Sequence, residues 1–481
     1  MVAKFDNTNI VLKAPPSLPS TMSNNVLAFQ AVRTARTKAL DIFENAFTNL
    51  KKNTSSTTFC NSDNNNNLVN NDNKTREMVI SRLALPFQSD KELREEYVNH
   101  LGDLRLGLLL EDADALCGFA AYKHCSNMES LPSIVTASMD RLSLSSNKSL
   151  QSNQDLQLLA SVTATGKSSM NVDLDIATIS SNPKSVVTAS FTFVARSSSN
   201  YQSVAVPKIK PRNNNQKELI LNETGHTRQN LRKEDRAKSL NILPPTYEEQ
   251  AILHDLFTTY KPGTTLIKKN FNMKGNNDDD NNNGVIIDDM KSKVRYKIRE
   301  TKMGSINICH PQMRNIHNKV FGGYLMRKAY EIAWTNANLI IGDPNIYLME
   351  LDDISFRHPV EIGSILEFQA RSVYSTESTL SISVHADVIN PQTKEKKRTN
   401  TFEFCFSIKD PDDNSLQDNI EIPEIIPRTY EEGIAYLTAR RNLINMNNAN
   451  YNNSRIINLN NVDKDDDVLF DIKHYLTESS L

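Results

Sequence analysis

Three acidic residues stand in a stretch of the chain where burial should exclude charge. Glu111, Asp112 and Asp114 interrupt a run of leucine, alanine and cysteine residues that extends from Leu108 to Ala121. A helix that is apolar on nearly every side is buried, and these acids point in well-separated directions around it. At least one carboxylate therefore lies near the interior. Because burying a carboxylate is costly, such a group is either fixed by structural hydrogen bonds or kept for chemistry, as a base or a nucleophile.

Asp114 is the acid that shares a helical stripe with apolar residues. Leu110 lies four residues before it, and Cys117 and Ala121 lie three and seven residues after it. This spacing places all four side chains on one face of a helix. The residues alone leave the structural and the catalytic interpretation of Asp114 open.

The motif around this helix occurs twice. Asn99 opens a polar loop, Gly107 follows eight residues later, and an apolar run comes next; Asn315 and Gly323 repeat this spacing. Farther along, VTASMDRLSL parallels YLMELDDISF, and TASFTFVA parallels TNTFEFCF. A repeat of this length indicates a duplicated domain rather than a solenoid. Two copies of one fold can meet and build a site that neither copy builds alone.

The acid itself is not duplicated. A shift of 216 residues aligns the two loops, and it places Tyr330 at the position of Asp114. The neighbouring Glu331 points about 100° away on an ideal helix. Arg327 precedes Glu331 by one turn, a spacing that predicts an ordinary ion pair between them. The apolar stripe is thus repeated, whereas the acid is not.

Length and composition exclude several classes of protein. The 481 residues leave room for roughly two or three domains. A formal net charge of −2 gives no basic field that would favour nucleic acid. No apolar stretch has membrane-spanning length, so we expect no stable membrane insertion. The five cysteines are odd in number and lack the spacing of a zinc site, which indicates reduced thiols in an intracellular protein.

The order of elements predicts an α+β fold. Each copy of the repeat begins with a strand and a helix and continues with several long strands without intervening helices. Asn-rich tracts bury too little apolar surface to offset the entropy of ordering and should be disordered. The expected segments are a disordered N-terminal region (1–75), a first module (76–205), a linker with a helix and an Asn/Asp-rich insertion (206–292), a second module (293–412), a C-terminal helix (413–445) and a disordered tail (446–481).

The N-terminal region carries a targeting hypothesis. Residues 25–52 combine apolar residues at near-helical spacing with arginines and lysines, a pattern typical of a mitochondrial presequence. Asp6, Asp41 and Glu44 argue against it, and an ordinary surface helix is the alternative. The hypothesis is a mitochondrial matrix protein, with a cytoplasmic one as the alternative.

Both modules resemble a known family. The Asn loop, the FGG of Phe321–Gly323 entering a helix, and DDISFRHPVEIGSILEFQA resemble hotdog-fold acyl-CoA thioesterases. The EDADA helix, SIVTASMD and HPQMRNIHNKVFGGYLMRKAYEIAW are similar to the mitochondrial double-hotdog branch, which is acyl-CoA thioesterase 9-like. The resemblance covers residues 76–445 and is looser in the first module. It implies two tandem hotdog domains, each a long central helix wrapped by an antiparallel sheet, which form a pseudo-dimer within the chain.

The resemblance also implies where the site lies. In that family the Asn of one hotdog lies beside the acid of the other hotdog's helix. Carried over, this pairs Asn315 with Asp114 as the complete site. The opposite pair, Asn99 with Tyr330 or Glu331, departs from the family pattern and forms at most an impaired second site.

The implied reaction is hydrolysis of acyl-CoA to a fatty acid and CoA, without a metal or an organic cofactor. Asp114 activates water or attacks the thioester itself, and the sequence leaves both open. A backbone N–H at Gly323, with Gly322, polarises the thioester carbonyl. Arg357 and Lys167 are candidates for the CoA phosphates, with a solvated surface role as the alternative. A non-catalytic acyl-CoA-binding protein is the competing function, and association into a homo-oligomer is expected.

Overall fold

Each half of the chain contributes one long helix and a set of antiparallel strands. The computed structural model describes residues 9–11, 75–128, 130–144, 152–179, 185–197, 202–212, 216–240, 242–259, 294–313, 319–343, 345–352, 354–408 and 421–447. Its strands are β1 (Asn9–Val11), β2 (Thr75–Arg76), β3 (Ile80–Leu85), β4 (Ser133–Leu144), β5 (Leu156–Thr165), β6 (Ser169–Thr178), β7 (Ser185–Arg196), β8 (Lys208–Ile209), β9 (Arg295–Lys297), β10 (Met303–Ile308), β11 (Ile346–Leu351), β12 (Ile354–Ser355), β13 (Ile365–Ser375), β14 (Thr379–Ile389), β15 (Lys396–Ile408) and β16 (Glu424–Ile426). Its helices are α1 (Lys91–Tyr97), α2 (Leu106–His124), α3 (Gln216–Ala237), α4 (Tyr247–Thr259), α5 (Gly322–Ile341) and α6 (Tyr430–Asn447), with short 3₁₀ helices at Ile298–Thr301 and Pro311–Met313.

One sheet runs through both halves. Its strand order is β1-β3-β5-β6-β7-β4-β11-β15-β14-β13-β10, and β12 pairs with β4 beside β11. The halves join where β4 pairs antiparallel with β11 and β12, with Leu142 opposite Leu351 and Met139 opposite Ile354. These are the strands that the internal repeat matches to each other. The two halves therefore meet through equivalent edges, as two copies of one fold would around a two-fold axis.

The apolar side of this sheet packs on α2 and α5. Along β14, the alternate residues Leu380, Ile382, Val384 and Ala386 are fully buried, as expected when one strand face lies on a core. The sequence of α2 is rich in leucine and alanine, which favour helix. It packs on β5 of its own half and on α5 of the other half.

The contacts of the two helices repeat with the sequence. The N–H of Arg105 donates to the Tyr97 carbonyl at 2.6 Å, and the N–H of Phe321 donates to the Met313 carbonyl at 3.0 Å, which closes the loop before each helix in the same way. Both pairs are related by the 216-residue shift of the repeat. The duplication read from the sequence is therefore also a duplication of backbone structure.

The predicted α+β class is confirmed. Gly166 and Lys167 lie in the turn that joins β5 to β6. The linker contains two helices, α3 and α4, where the sequence predicted one. Helix α3 is mostly polar, so its periodicity was too weak to predict it. It docks on the first half through Asn222, whose Nδ2 donates to the Thr163 carbonyl at 2.9 Å.

The termini differ in part from the expected disorder. Asn9–Val11 forms β1, which pairs in parallel with β3 at the sheet edge. The presequence-like residues 25–52 and the Asn-rich tracts lie outside the described residues. The C-terminal helix α6 starts at Tyr430, and β16 before it pairs with β9. No helix in the described ranges is long and apolar enough to cross a membrane.

Candidate active site

Asp114 lies where the two halves of the chain meet. It is on α2, and only 1% of it is exposed. Its Oδ1 accepts a hydrogen bond from the Thr136 hydroxyl on β4 at 3.0 Å. Its Oδ2 accepts one from the backbone N–H of Gly323, near the start of α5, at 2.7 Å. The carboxylate of the first half is thus held by the helix of the second.

The start of α5 is built to receive a carboxylate. Its N-cap residue, Phe321, has no side chain that caps the helix, and the first N–H groups of a helix lack intrahelical acceptors. Asp114 supplies the missing acceptor from the other half, where the helix dipole also favours negative charge. Gly322 leaves the room for it, because a Cβ there would lie 3.0 Å from Asp114 Oδ2.

Burial sets the proton affinity of this carboxyl. Loss of solvation raises the pKa of Asp114 to about 7, against the lowering effect of the hydrogen bonds from Thr136 and Gly323. The nearby Glu111 carboxylate raises the same pKa further. A carboxyl that titrates near neutral pH can take a proton from water and return it, which is the requirement for general acid–base catalysis.

The other two acids of α2 have structural partners. Glu111 Oε2 accepts from Arg327 Nη1 at 3.1 Å, and Asp112 accepts from the hydroxyl of Tyr97. Both side chains are buried. The apolar run of α2 therefore buries all three acids, and Asp114 is the one bound to a helix start.

Asn315, the expected partner of Asp114, lies outside the described residues. Its counterpart Asn99 is described, and it organises its own loop. Asn99 Oδ1 accepts from the N–H groups of Leu101 at 2.9 Å and Asp103 at 3.0 Å. Because both partners are backbone donors, the side-chain carbonyl oxygen of Asn99 is the atom that holds the loop.

Comparison with known proteins places the chain in a family. No protein-family model matches it. Acyl-coenzyme A thioesterase 9, mitochondrial, from Mus musculus is 32% identical over 379 residues, which cover 78% of this chain and 79% of the relative. The protein of the same name from Homo sapiens is 32% identical over 369 residues, 76% of each chain. A solved structure of a putative oleoyl thioesterase from Lactobacillus plantarum matches 70% of this chain and 98% of its own, with 7% identity and a TM-score of 0.41.

This chain belongs to the mitochondrial acyl-coenzyme A thioesterase 9 family. The identity and the coverage of both chains decide this. The resemblance seen in the sequence is confirmed, and the chain is a thioester hydrolase.

The thioesterase does not repeat its acid at the second junction. The aromatic ring of Tyr330 lies against Gly107, where a Cβ would be 3.2 Å from Tyr330 Cδ1. The same ring packs on Phe404 and Phe406, with centroids 6.1 and 6.2 Å away. Burial raises the pKa of the Tyr330 hydroxyl, so this side chain stays neutral. An apolar contact thus fills the place that Asp114 takes in the first site.

Glu331, the other residue predicted for a second site, is in ion pairs. Its carboxylate contacts Arg327 Nε at 3.0 Å, Lys328 Nζ at 2.9 Å and Arg105 Nη2 at 3.5 Å. Burial acts to raise the pKa of Glu331, but the hydrogen bonds from Lys328 and Arg327 outweigh it and lower that pKa. The ion pair with Arg327 that the spacing predicted is present.

The two cationic candidates for CoA lie at different places. Both Arg357 and Lys167 are exposed. Arg357 follows Phe356, whose ring would lie 3.4 Å from a Cβ at Gly322. Lys167 lies in the turn between β5 and β6. Of the two, Arg357 is next to a residue of the site.

The sequence did not identify Thr136 as a site residue. A signal for it exists, because aligning VTASMDRLSL with YLMELDDISF places Leu348 at the position of Thr136. The two halves therefore differ at both positions. The first half has the polar residues Asp114 and Thr136, whereas the second half has Tyr330 and Leu348. Hydroxyl residues are common in strands, so this departure was not visible before the contact with Asp114 was known.

Proposed function

We propose that this thioesterase hydrolyses fatty acyl-CoA to a free fatty acid and CoA, at a site between two tandem hotdog domains of one chain. The observation that carries the proposal is Asp114, a buried carboxyl with a pKa of about 7 held at the start of the other half's helix. The names of the relatives supply acyl-CoA as the substrate class.

Asp114 acts as the general base in this proposal. It takes a proton from a water molecule as the water oxygen attacks the thioester carbonyl carbon. The tetrahedral intermediate then collapses and the C–S bond breaks. Asp114 returns its proton to the leaving sulfur, which gives CoA thiol, the fatty acid and the Asp114 carboxylate again. Direct attack by Asp114 on the carbonyl carbon, through a mixed anhydride, is the alternative. The raised pKa of about 7 supports the role of base.

The oxyanion needs a donor at the start of α5. The sequence hypothesis placed it at the helix start, around Gly323 with Gly322, and the N–H of Gly323 donates to Asp114. Gly322 is the first residue of α5, so its N–H has no acceptor within the helix. We assign this N–H to the thioester oxygen, where the helix start favours negative charge.

Asn315 completes the donor set in this proposal. In the described copy, the Asn99 oxygen accepts two backbone hydrogen bonds of its own loop. As the counterpart of Asn99 in the repeat, Asn315 is assigned the role of donating its amide N–H to the substrate. The repeat of the backbone bond from Arg105 to Tyr97 as the bond from Phe321 to Met313 supports this correspondence.

Arg357 is the better candidate for a CoA phosphate, since it follows Phe356 beside Gly322. The second site, with Asn99, Tyr330 and Glu331, lacks a free acid and would not hydrolyse substrate. Mitochondrial relatives support a mitochondrial location, and homo-oligomer formation remains part of the proposal.

The test is release of CoA thiol from acyl-CoAs of increasing chain length by the purified full chain, with enzyme-only blanks for its own cysteines. We expect saturable release at one or more chain lengths. Binding of acyl-CoA without release above the uncatalysed rate at every length would contradict the proposal and favour the non-catalytic alternative.

A further inference from the structure

Helices α2 and α5 carry opposite charges where they face each other. Glu111 and Arg327 are 216 residues apart, the shift of the internal repeat, so they occupy equivalent positions on equivalent helices. Their side chains meet, with Arg327 Nη1 3.1 Å from Glu111 Oε2. Equivalent residues touch each other only at the axis that relates two copies.

This pair exists only because the halves are fused and have diverged. Two identical copies would place the same residue on both sides of the axis, and two glutamates or two arginines would repel. The contact is also sheltered, since the Glu111 side chain is 10% exposed and that of Arg327 is 21% exposed. Charges in such a position are weakly screened by solvent.

The ion pair lies next to the proposed base. Glu111 precedes Asp114 by three residues, so both acids lie on adjacent turns of α2. The carboxylate of Glu111 raises the pKa of Asp114. Arg327 is fixed beside Glu111 by a second acceptor, Glu331, whose Oε1 is 3.0 Å from Arg327 Nε.

Among the residues that the structure describes, Glu111 is the charged group that acts on Asp114. On α2, burial raises the pKa of the Cys117 thiol, which stays neutral. From β4, the neutral hydroxyl of Thr136 donates to Asp114, and from α5 the N–H of Gly323 does. The Asp173 carboxylate on β6 acts on Cys117.

We propose that the Glu111–Arg327 pair sets the proton affinity of Asp114, and that Arg327 is a positioning residue because it offsets the charge of Glu111. The inference rests on the proposed role of Asp114 as base. Without Arg327, the Glu111 carboxylate one turn from Asp114 would lose a positive partner, and Asp114 would ionise at higher pH. Without Glu111, it would face the positive charge of Arg327 and would ionise at lower pH.

The test is the pH dependence of kcat/KM for the full chain and four variants. For Glu111→Gln we expect the rising limb to move to lower pH, and for Arg327→Gln to higher pH, each by on the order of one pH unit. The double variant Glu111→Gln/Arg327→Gln should return to within about half a unit of the parent, since it removes both charges. Arg327→Lys keeps the positive charge, so its rising limb should stay at the pH of the parent. This variant still tests the inference if Arg327→Gln proves unstable.

Shifts of the rising limb in opposite directions in Glu111→Gln and Arg327→Gln identify an electrostatic role. A merely structural ion pair would lower activity or stability in both single variants and leave the rising limb at the pH of the parent. Single variants that shift the limb in the same direction, or not at all, would overturn the inference. Asp114→Asn separates this from the larger proposal. If Asp114→Asn remains active, the proposal that Asp114 is the base is refuted. If Asp114→Asn is inactive but the rising limb stays in place in the Glu111 and Arg327 variants, only the role of Arg327 is refuted.

Discussion

Asp114 combines two tasks that usually belong to different residues. It caps the helix of the other half through the N–H of Gly323, and it is buried so deeply that its pKa rises to about 7. The hydrogen bonds from Thr136 and Gly323 favour its charged form, while loss of solvation favours the neutral one. The balance leaves a carboxyl that changes charge near neutral pH.

The first prediction is the pH dependence of the reaction. A general base must be ionised, so kcat/KM should rise with pH and level off, with a midpoint near the pKa of about 7. An ordinary aspartate would give a midpoint near pH 4. Initial rates of CoA release between pH 5 and 9 measure this. A rate that is flat above pH 5 would contradict the account.

The second prediction concerns stability. Because the pKa of Asp114 is higher in the folded chain than its ordinary value of 3.8, the folded state binds the proton more tightly than the unfolded one. Its burial therefore costs little stability below about pH 4, and the cost grows as pH rises to about 7. Asp114→Asn removes this cost and keeps an acceptor for Gly323. Its Tm should exceed that of the parent by several degrees at pH 8 and by less at pH 5. An equal or lower Tm of Asp114→Asn at pH 8 would show that the ionised Asp114 carboxylate does not destabilise the folded chain.

Among single residues, the sequence revealed those that break a strong pattern. Asp114 stood out because an acid interrupts an apolar stripe. Thr136 did not, since a threonine in a strand breaks no rule. The hydrogen bond from Gly323 to Asp114 was not predicted, because the sequence showed an open helix start but not that Asp114 would reach it.

At the scale of elements, two glycines set the approach of α2 and α5. A Cβ at Gly323 would lie 2.8 Å from Glu111 Cα and 3.0 Å from Glu111 O. These are backbone atoms, so the helices would have to separate. At the equivalent Gly107, a Cβ would lie 3.2 Å from Tyr330 Cδ1 and 3.3 Å from Arg327 Cγ. Those are side-chain atoms, which can move.

The third prediction uses this difference. Gly323→Ala should lower the free energy of unfolding by about 1–3 kcal/mol, and it should lower activity because the donor to Asp114 moves. Gly107→Ala is the matched control, and its better helix propensity offsets the crowding, so its stability should be within about 1 kcal/mol of the parent. Urea unfolding of both variants measures this. A control that is as unstable as Gly323→Ala would show that the close contact is not specific.

Elements with a strong periodicity were predictable, and those fixed by docking were not. The buried helix α2 and the hairpin of β5 and β6 follow from their apolar pattern and from the turn at Gly166. Helices α1 and α3 did not, since α1 is short and α3 is mostly polar. Strand β1 comes from Asn9–Val11, in a segment whose composition indicated disorder, and its pairing with β3 is a tertiary contact.

For the whole molecule, the proposed single complete site is explained by duplication followed by divergence. The halves share one sheet and equivalent loop closures, but Asp114 and Thr136 have Tyr330 and Leu348 as their counterparts. A homodimer of single modules could not carry such a difference. Fusion allows one junction to hold the buried Asp114 carboxyl while the other is packed with aromatic side chains.

The fourth prediction is one functional site per chain. A non-hydrolysable acyl-CoA thioether should bind at one equivalent per chain at concentrations that inhibit hydrolysis, because Tyr330 fills the second junction against Gly107. Isothermal titration with the full chain measures the stoichiometry. Two equivalents of equal affinity would show that the second junction is open to substrate.

The most direct measurement compares CoA release by Asp114→Asn and by Tyr330→Phe, the same position in the other half. Loss of a general base should lower kcat by about 10²-fold or more, whereas Tyr330→Phe keeps its ring packing and should stay within about twofold of the parent. Both proteins should keep the parent's circular dichroism spectrum. An Asp114→Asn chain that releases CoA at the parent's rate, or a Tyr330→Phe chain as impaired as Asp114→Asn, would contradict the placement of the base in the first half.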